Sequence, residues 1–208
     1  MTLIPPEFFR RQDEEPDERF YAVPRPDSHL DDDADAVVTR WYDERLPADG
    51  PVLDLFAGAH SHLPDRSHDA IGVGLDRSAL ARNPQLRAHH VLDLNDDPSL
   101  PFADASLAAV VCTASVQYLT RPIELLREVG RVLRPGAPFL VVFGNRMFPT
   151  KAVLCWRASD DEAHLRLVRG YLAAAGGFAP VDLHGHHPEG GEPLYLIATR
   201  ADPSVAPD

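Results

Sequence analysis

The sequence predicts an α/β fold, a mostly parallel, doubly wound sheet that ends with an antiparallel hairpin. Three observations support this prediction. Between residues 34 and 175, short apolar runs alternate with segments of helical periodicity. The first three apolar runs each end in or beside an acidic residue. Near the C-terminus, two apolar runs follow each other with only a polar, Gly-rich link between them, which is typical of an antiparallel pair.

The apolar runs give the expected strands. Parallel strands are predicted at residues 52–56, 70–76, 89–93, 107–114 and 138–143, and the hairpin at 178–184 and 193–199. The segments between and before them predict helices at 34–46, 77–83, 121–133 and 160–175. Thr120 is expected to cap the third of these helices, and a capping box at 159–162 to open the last.

Composition limits the kind of protein. The chain has 208 residues, 44% of them hydrophobic, which suits one globular domain. Its net charge of −12 argues against a nucleic-acid partner, because phosphate binding needs clustered Lys and Arg. Neither of the two cysteines lies in a CxxC pair. No signal peptide or membrane-spanning run is visible, so we expect a cytoplasmic monomer or homodimer without a membrane partner.

The domain organisation follows from a change of composition along the chain. Residues 1–33 are rich in prolines, acids and scattered aromatics, and we expect them to form an arm that packs over the ligand cleft. Residues 34–200 form the main domain. Residues 201–208 are predicted to be a disordered tail.

The stretch that organises the chain is the first strand and the loop after it, residues 51–60. Asp54 and Gly58 are expected at the carboxyl edge of the sheet, where ligands bind in open α/β folds. Glycine lets the backbone come close to a ligand, although a plain strand-to-helix turn would use the same residue. Asp76 ends the second strand, where an acid can accept hydrogen bonds from a ribose diol, and Asp93 ends the third.

Two further segments resemble a known family. Residues 100–107 (LPFADASL) resemble the LPFxDxSFD segment of class I S-adenosylmethionine-dependent methyltransferases, in particular the type 11-like small ones. Residues 128–136 (EVGRVLRPG) resemble their ExxRVLKPGG helix end. The likeness covers roughly residues 35–200. It implies a Rossmann-like sheet of seven strands, S-adenosyl-L-methionine as cofactor, and methyl transfer to a small-molecule acceptor.

The resemblance also implies roles for particular residues. Asp54 and Gly58 would face the methionine part of the cofactor, Asp76 would bind the ribose hydroxyls, and Asp93 would lie at the adenine. The expected cofactor-binding residues are Asp54, Phe56, Gly58, Asp76, Arg77, Asp93, Leu94 and Ser115. The glycine motif is degenerate, because Phe56 and His60 stand where the family has glycines. A non-catalytic binding or partner module that has lost cofactor turnover therefore stays open as the alternative.

The acceptor side is predicted from chemistry and position. A hydroxyl acceptor needs a base within hydrogen-bond reach, and the candidates are His29, His62 and Tyr118. The expected substrate-binding residues are Arg25, Gln117, Asn145, Arg146 and Lys151. Arg146 could hold a carboxylate in a fork. The alternative interpretation of the segment after the fifth strand is a capped loop that leads into a short helix.

Two other functions are disfavoured. His60-x-His62 and His184-x-His186-His187 have the spacing of metal ligands, but no cysteine or carboxylate is arranged with them in the sequence, so no metal is expected. A nicotinamide dehydrogenase is disfavoured because GxGxxG is absent.

Overall fold

A computed structural model describes residues 5–22, 30–65, 69–188 and 191–207. The helices are α1 (Asp17–Tyr21), α2 (Asp32–Asp43), α3 (Arg77–Arg82), α4 (Pro122–Val132), α5 (Leu154–Arg157) and α6 (Asp161–Ala175). The strands are β1 (Val52–Leu55), β2 (Ala70–Gly74), β3 (Ala88–Val91), β4 (Ala109–Thr113), β5 (Pro138–Gly144), β6 (Asp182–His186) and β7 (Leu194–Arg200). Two short 3-10 turns lie at Pro6–Phe9 and Val116–Tyr118.

All seven strands form one sheet in the order β3-β2-β1-β4-β5-β7-β6. The pairs among β1 to β5 are parallel, whereas β7 runs antiparallel to β5 and to β6. The predicted fold class, a mostly parallel seven-stranded sheet with a C-terminal antiparallel hairpin, is confirmed. The strand order reverses between β1 and β4, and ligands bind at such a switch point in open α/β sheets.

The two faces of the sheet carry separate cores, because successive side chains of a strand point to opposite faces. Leu53 and Leu55 of β1 belong to the core that includes α4 and α6. Val52 belongs to the core that includes Val38, Trp41 and Tyr42 of α2. Asp54 alternates with Leu53 and Leu55 and therefore points to the α2 face.

The two segments that carry the family resemblance hold each other in place. The Arg131 guanidinium on α4 donates to the carbonyl oxygens of Phe102 and Leu100 at 2.8 and 3.0 Å, and to Asp104 at 2.7 Å. Glu128 accepts a hydrogen bond from the Leu100 amide at 3.0 Å. These residues fix the loop before β4 against α4, so their role is to support the sheet.

Three local predictions are wrong. Arg121 is the residue before α4, and the hydroxyl of Thr120 bonds instead to Asn95 Oδ1 at 3.1 Å. Asp160, and not Ser159, caps α6, because its side chain accepts from the Ala163 amide. The first hairpin strand begins only at Asp182. Before it, an isolated bridge joins Phe178 to Ala201.

Both ends of the described chain are tied to the main domain. In the N-terminal arm, the Asp13 amide donates to the Thr150 carbonyl at 2.9 Å. At the other end, residues 201–207 contact the main domain through backbone hydrogen bonds. The Gly136 amide donates to Ala201, and the Gly177 amide to Val205, both at 2.8 Å. None of the helices built by the described residues is both long and apolar enough to cross a membrane.

Candidate cofactor and active site

A cavity of about 390 Å³ lies at the carboxyl ends of β1, β2 and β4. Small-molecule sites in proteins typically measure about 300–1,000 Å³. The loop after β1 and the start of α3 form part of the wall, and the residues that follow β4 form another part. Asp17, Tyr21 and Ala22 of the N-terminal arm also line it.

The cavity brings together part of the predicted site. It is lined by Asp54, Phe56, Gly58, Asp76, Ser115, His62 and Tyr118. Asp93 instead lines an adjoining cavity of about 610 Å³, and Asp17 and Asn95 line both cavities. Arg77 and Leu94 are not in the wall of either cavity, and Leu94 is buried.

The predicted acceptor residues lie elsewhere or outside the described chain. Arg25 and His29 fall outside the described residues. Gln117 is buried and donates to the Ala114 carbonyl at 2.9 Å. Arg146 pairs with Glu192. Asn145 does not line the cavity.

Lys151, also expected to bind substrate, is buried under the N-terminal arm. Its Nζ lies 3.0 Å from Asp17 Oδ1 and 3.2 Å from Asp13 Oδ2, and it donates to the Glu15 carbonyl at 2.7 Å. Burial would raise the pKa of Asp17, but hydrogen bonds from Arg11 and Lys151 lower it overall. Lys151 therefore binds the arm to the main domain.

Asp54 is buried and lines the cavity. Burial raises its pKa to about 7, against the opposing effect of a hydrogen bond from Ser61. A carboxyl group with this pKa changes charge near neutral pH. A cation that entered the cavity would favour the carboxylate and lower the pKa.

Asp76 joins the end of β2 to α3. Its Oδ1 caps α3 by accepting from the amides of Ser78 and Ala79 at 2.9 and 3.0 Å. Its other oxygen, Oδ2, makes no hydrogen bond among the described residues, so it can accept one from a ligand. The predicted role for Asp76 at a ribose diol fits this geometry.

The backbone is strained at three positions that border the cavity, two in the loop after β1 and one directly after β4. Phe56, His62 and Ala114 all line the cavity and have φ angles of +61°, +54° and +50°. For residues other than glycine, such conformations cost about 1–3 kcal/mol each and cluster at functional sites. Phe56 thus keeps a backbone conformation that a glycine would adopt without cost.

Gly58 leaves the loop open toward a ligand. A Cβ atom placed on it would meet no atom within 4 Å, so the protein itself does not require glycine there. Gly58 lines the cavity together with Asp54 and Asp76, the two acids that the sequence predicts for the cofactor site.

The remaining candidate bases differ in their partners. The Tyr118 hydroxyl accepts from the Phe148 amide at 2.8 Å, and burial raises its pKa, so it stays protonated at neutral pH. His62 Nδ1 instead contacts Asp35 Oδ1, and His60 Nε2 lies 3.0 Å from the same oxygen. The expectation that no carboxylate accompanies these histidines is therefore wrong. Asp35 comes from α2, where the sequence shows it only as one acid among several.

Comparison with known proteins shows similarity to methyltransferases. Residues 54–141 match a family described as a methyltransferase domain. The chain is 28% identical over 163 residues to the ubiquinone/menaquinone biosynthesis C-methyltransferase UbiE of Rubrivivax gelatinosus, a match that covers 65% of this chain and 61% of that protein. The chain spans less than two thirds of the length of the curated relatives it matches.

Two solved structures share the fold. The cyclase SpnF gives a TM-score of 0.59 at 18% identity, over 81% of this chain and 82% of that one. The geranyl diphosphate C-methyltransferase of Streptomyces coelicolor was solved with S-adenosyl-L-homocysteine. It gives a TM-score of 0.54 at 14% identity, and the match covers 81% of this chain and 76% of that one.

The sheet order and the cavity at its switch point define an α/β protein of the doubly wound class. The methyltransferase-domain match over residues 54–141 and the two solved structures show that this is the fold of class I S-adenosylmethionine-dependent methyltransferases. The resemblance in residues 100–107 and 128–136 is thereby confirmed.

Proposed function

We propose that the chain transfers a methyl group from S-adenosylmethionine to a small-molecule acceptor. The observation that carries this proposal is the cavity at the switch point of the sheet. There Asp54, the open backbone at Gly58, and the free Oδ2 of Asp76 meet in one wall. Each group matches a different part of a cationic nucleoside.

The mechanism is in-line displacement, for which the protein must hold donor and acceptor in one geometry. S-adenosylmethionine, when bound, supplies an electrophilic methyl group on a positively charged sulfur. Asp76 accepts hydrogen bonds from the ribose hydroxyls. Asp54 becomes ionised when positive charge enters the cavity, and the arm residues Asp17 and Tyr21 close one side against water.

The acceptor side lies near Ala114, Ser115, His60 and His62, which line the same cavity, and Asp35 contacts both histidines. A small acceptor is supported by the limited volume and by the negative charge of the chain, which disfavours a nucleic acid. A small acceptor is also supported by two similar proteins, which are named as a C-methyltransferase of ubiquinone/menaquinone biosynthesis and a geranyl diphosphate C-methyltransferase.

The second candidate is a binding module that keeps the fold without methyl transfer. The replacement of glycines by Phe56 and His60 favours it, and SpnF is a cyclase with this fold. Fold alone therefore does not decide the reaction.

The test is calorimetric titration of the full chain with S-adenosylmethionine and S-adenosylhomocysteine. We expect micromolar binding to the wild type. Asp76→Ala is expected to weaken it by at least about tenfold, because hydrogen bonds to charged groups contribute about 1.5–3 kcal/mol. Asp160→Ala is the matched control, since Asp160 also caps a helix through its side chain but lies outside the cavity.

Two results would decide against catalysis by this site. A folded wild type that binds neither compound supports the binding module. Equal affinities for the wild type and the Asp76→Ala variant would show that the nucleoside binds elsewhere. Mass spectrometry of ligands that remain bound through purification would then identify the acceptor or the natural ligand.

A further inference from the structure

Asp35, His60 and His62 bring three possible metal ligands to the edge of the cavity. His60 Nε2 lies 3.0 and 3.1 Å from the two carboxylate oxygens of Asp35, and His62 Nδ1 contacts Oδ1. The three ligand atoms all lie within 4.8 Å of one another. Atoms bound to zinc at about 2.1 Å in a tetrahedron are about 3.4 Å apart, so small side-chain movements suffice to bind an ion.

The two segments that carry the cluster, α2 and the loop after β1, are held in place by hydrogen bonds. Asp35 lies in the first turn of α2, which is capped by Asp31 through a 2.8 Å hydrogen bond from the Ala34 amide. Thr39, one turn further along α2, donates its hydroxyl to the His62 carbonyl at 3.1 Å. This bond joins the loop after β1 to the helix that carries the carboxylate.

The loop is also fixed next to His62. The Ser61 amide donates to Gln85 Oε1 at 3.0 Å, and Asn83 donates to the Ser61 hydroxyl at 2.8 Å. His62 itself is buried and has a φ of +54°. A strained residue persists only when its surroundings hold it, so the position of this imidazole is determined by the fold.

The chemistry of the cluster suits a cation, because it combines one carboxylate with two imidazole rings. The two rings meet edge to face with centroids 4.5 Å apart. Neutral imidazole nitrogens and a carboxylate are the donors that zinc prefers in sites with open positions.

We propose that Asp35, His60 and His62 bind a first-row divalent metal ion, with Zn²⁺ the best match, at the edge of the cavity. Both histidines line the cavity, so a fourth coordination position opens into it. An oxygen atom of the acceptor occupies this position. That last step rests on the proposed methyl transfer, whereas metal binding itself does not. A hydroxyl bound to zinc would release its proton to solvent water more easily, as zinc-bound water does, which favours an oxygen acceptor.

The experiment measures metal binding on the full chain without any acceptor. Metal-depleted protein is titrated with Zn²⁺ by calorimetry, and Co²⁺ is used as a spectroscopic substitute whose visible absorption reports the ligand number. We expect one ion per chain, and we expect Asp35→Asn and His60→Ala each to weaken binding at least tenfold. Circular dichroism checks that both variants are folded.

His184→Ala is the matched control. His184 Nε2 also pairs with a carboxylate, Asp182 Oδ2 at 2.8 Å, but this pair is exposed on β6 and does not line the cavity. We expect this variant to bind Zn²⁺ like the wild type. Loss of binding in His184→Ala, with binding kept in the cluster variants, would assign the ion to the C-terminal histidines and overturn the proposal.

Cofactor titrations of the same samples separate this proposal from the proposed function. Zinc binding without S-adenosylmethionine binding would support the metal site and contradict methyl transfer. Cofactor binding without stoichiometric zinc would overturn the metal site alone and leave a hydrogen-bonded Asp–His cluster.

Discussion

Asp54 should make cofactor binding depend on pH, and Asp54→Asn should remove that dependence. In the free protein the pKa of Asp54 is about 7. If the positive charge of the cofactor lowers this pKa below about 5, binding releases a proton. Linkage then weakens the affinity about tenfold between pH 8 and pH 6, because the free carboxyl must first lose its proton.

The same carboxyl group affects protein stability in the opposite direction, because rising pH strengthens cofactor binding but lowers the free energy of unfolding. Its folded-state pKa lies above the ordinary value of 3.8, so the folded state binds the proton more tightly than the unfolded state. The stability contribution is therefore lost as pH rises through 7. The loss is about 3 kcal/mol between pH 5 and pH 8, from 1.36 kcal/mol per pKa unit.

Calorimetry at pH 6, 7 and 8 measures the affinity, and denaturant unfolding at pH 5 and pH 8 measures the stability. The Asp54→Asn variant is the control for titration of the cofactor itself, because it retains every other ionisable group. The variant should gain stability relative to the wild type as pH rises. Identical pH profiles of the wild type and the variant, in both measurements, would refute this account of Asp54.

Two other predictions concern stability. Lys151→Met should destabilise the protein by about 3–5 kcal/mol in urea unfolding, because it leaves the buried Asp17 without one of its cations. It should also make the N-terminal arm a faster target for limited proteolysis. Ala114→Gly should stabilise the protein by about 1 kcal/mol, because glycine adopts the φ of +50° without strain.

Each has a control elsewhere in the chain. Arg19→Met removes an exposed cation that pairs with Glu15 in the same arm, and it should change stability by less than about 1 kcal/mol. Ala109→Gly lies within β4, where glycine weakens a strand, so it should destabilise. Equal effects of Lys151→Met and Arg19→Met, or destabilisation by Ala114→Gly, would contradict the structure.

The sheet and half of the site could be predicted because each of the sequence patterns that indicate them lies within a single segment of the chain. Apolar runs, helical periodicity and terminal acids each lie within one segment, and the carboxyl ends of parallel strands share one edge. Asp54 and Asp76 were therefore found in one cavity. Asp93 was not, because β3 ends at Val91 and the Asp93 carboxylate accepts from the Asn95 amide at 2.9 Å within the following turn.

The contacts that sequence reasoning missed join distant segments. Asp35 meets two histidines that follow β1, and Lys151 meets the N-terminal arm. Arg146 forms an ion pair with Glu192, which is also distant from it in the sequence. Pairing of this kind depends on how helices pack on the sheet, and no spacing within a single segment indicates it.

A crystal structure of the full chain with S-adenosylhomocysteine tests the central claim most directly. The account predicts the nucleoside in the cavity at the switch point, with a ribose hydroxyl within hydrogen-bond distance of Asp76 Oδ2 and the loop at Gly58 against the ligand. A ligand bound away from Asp54 and Asp76, or a cavity that stays empty at saturating ligand, would contradict it.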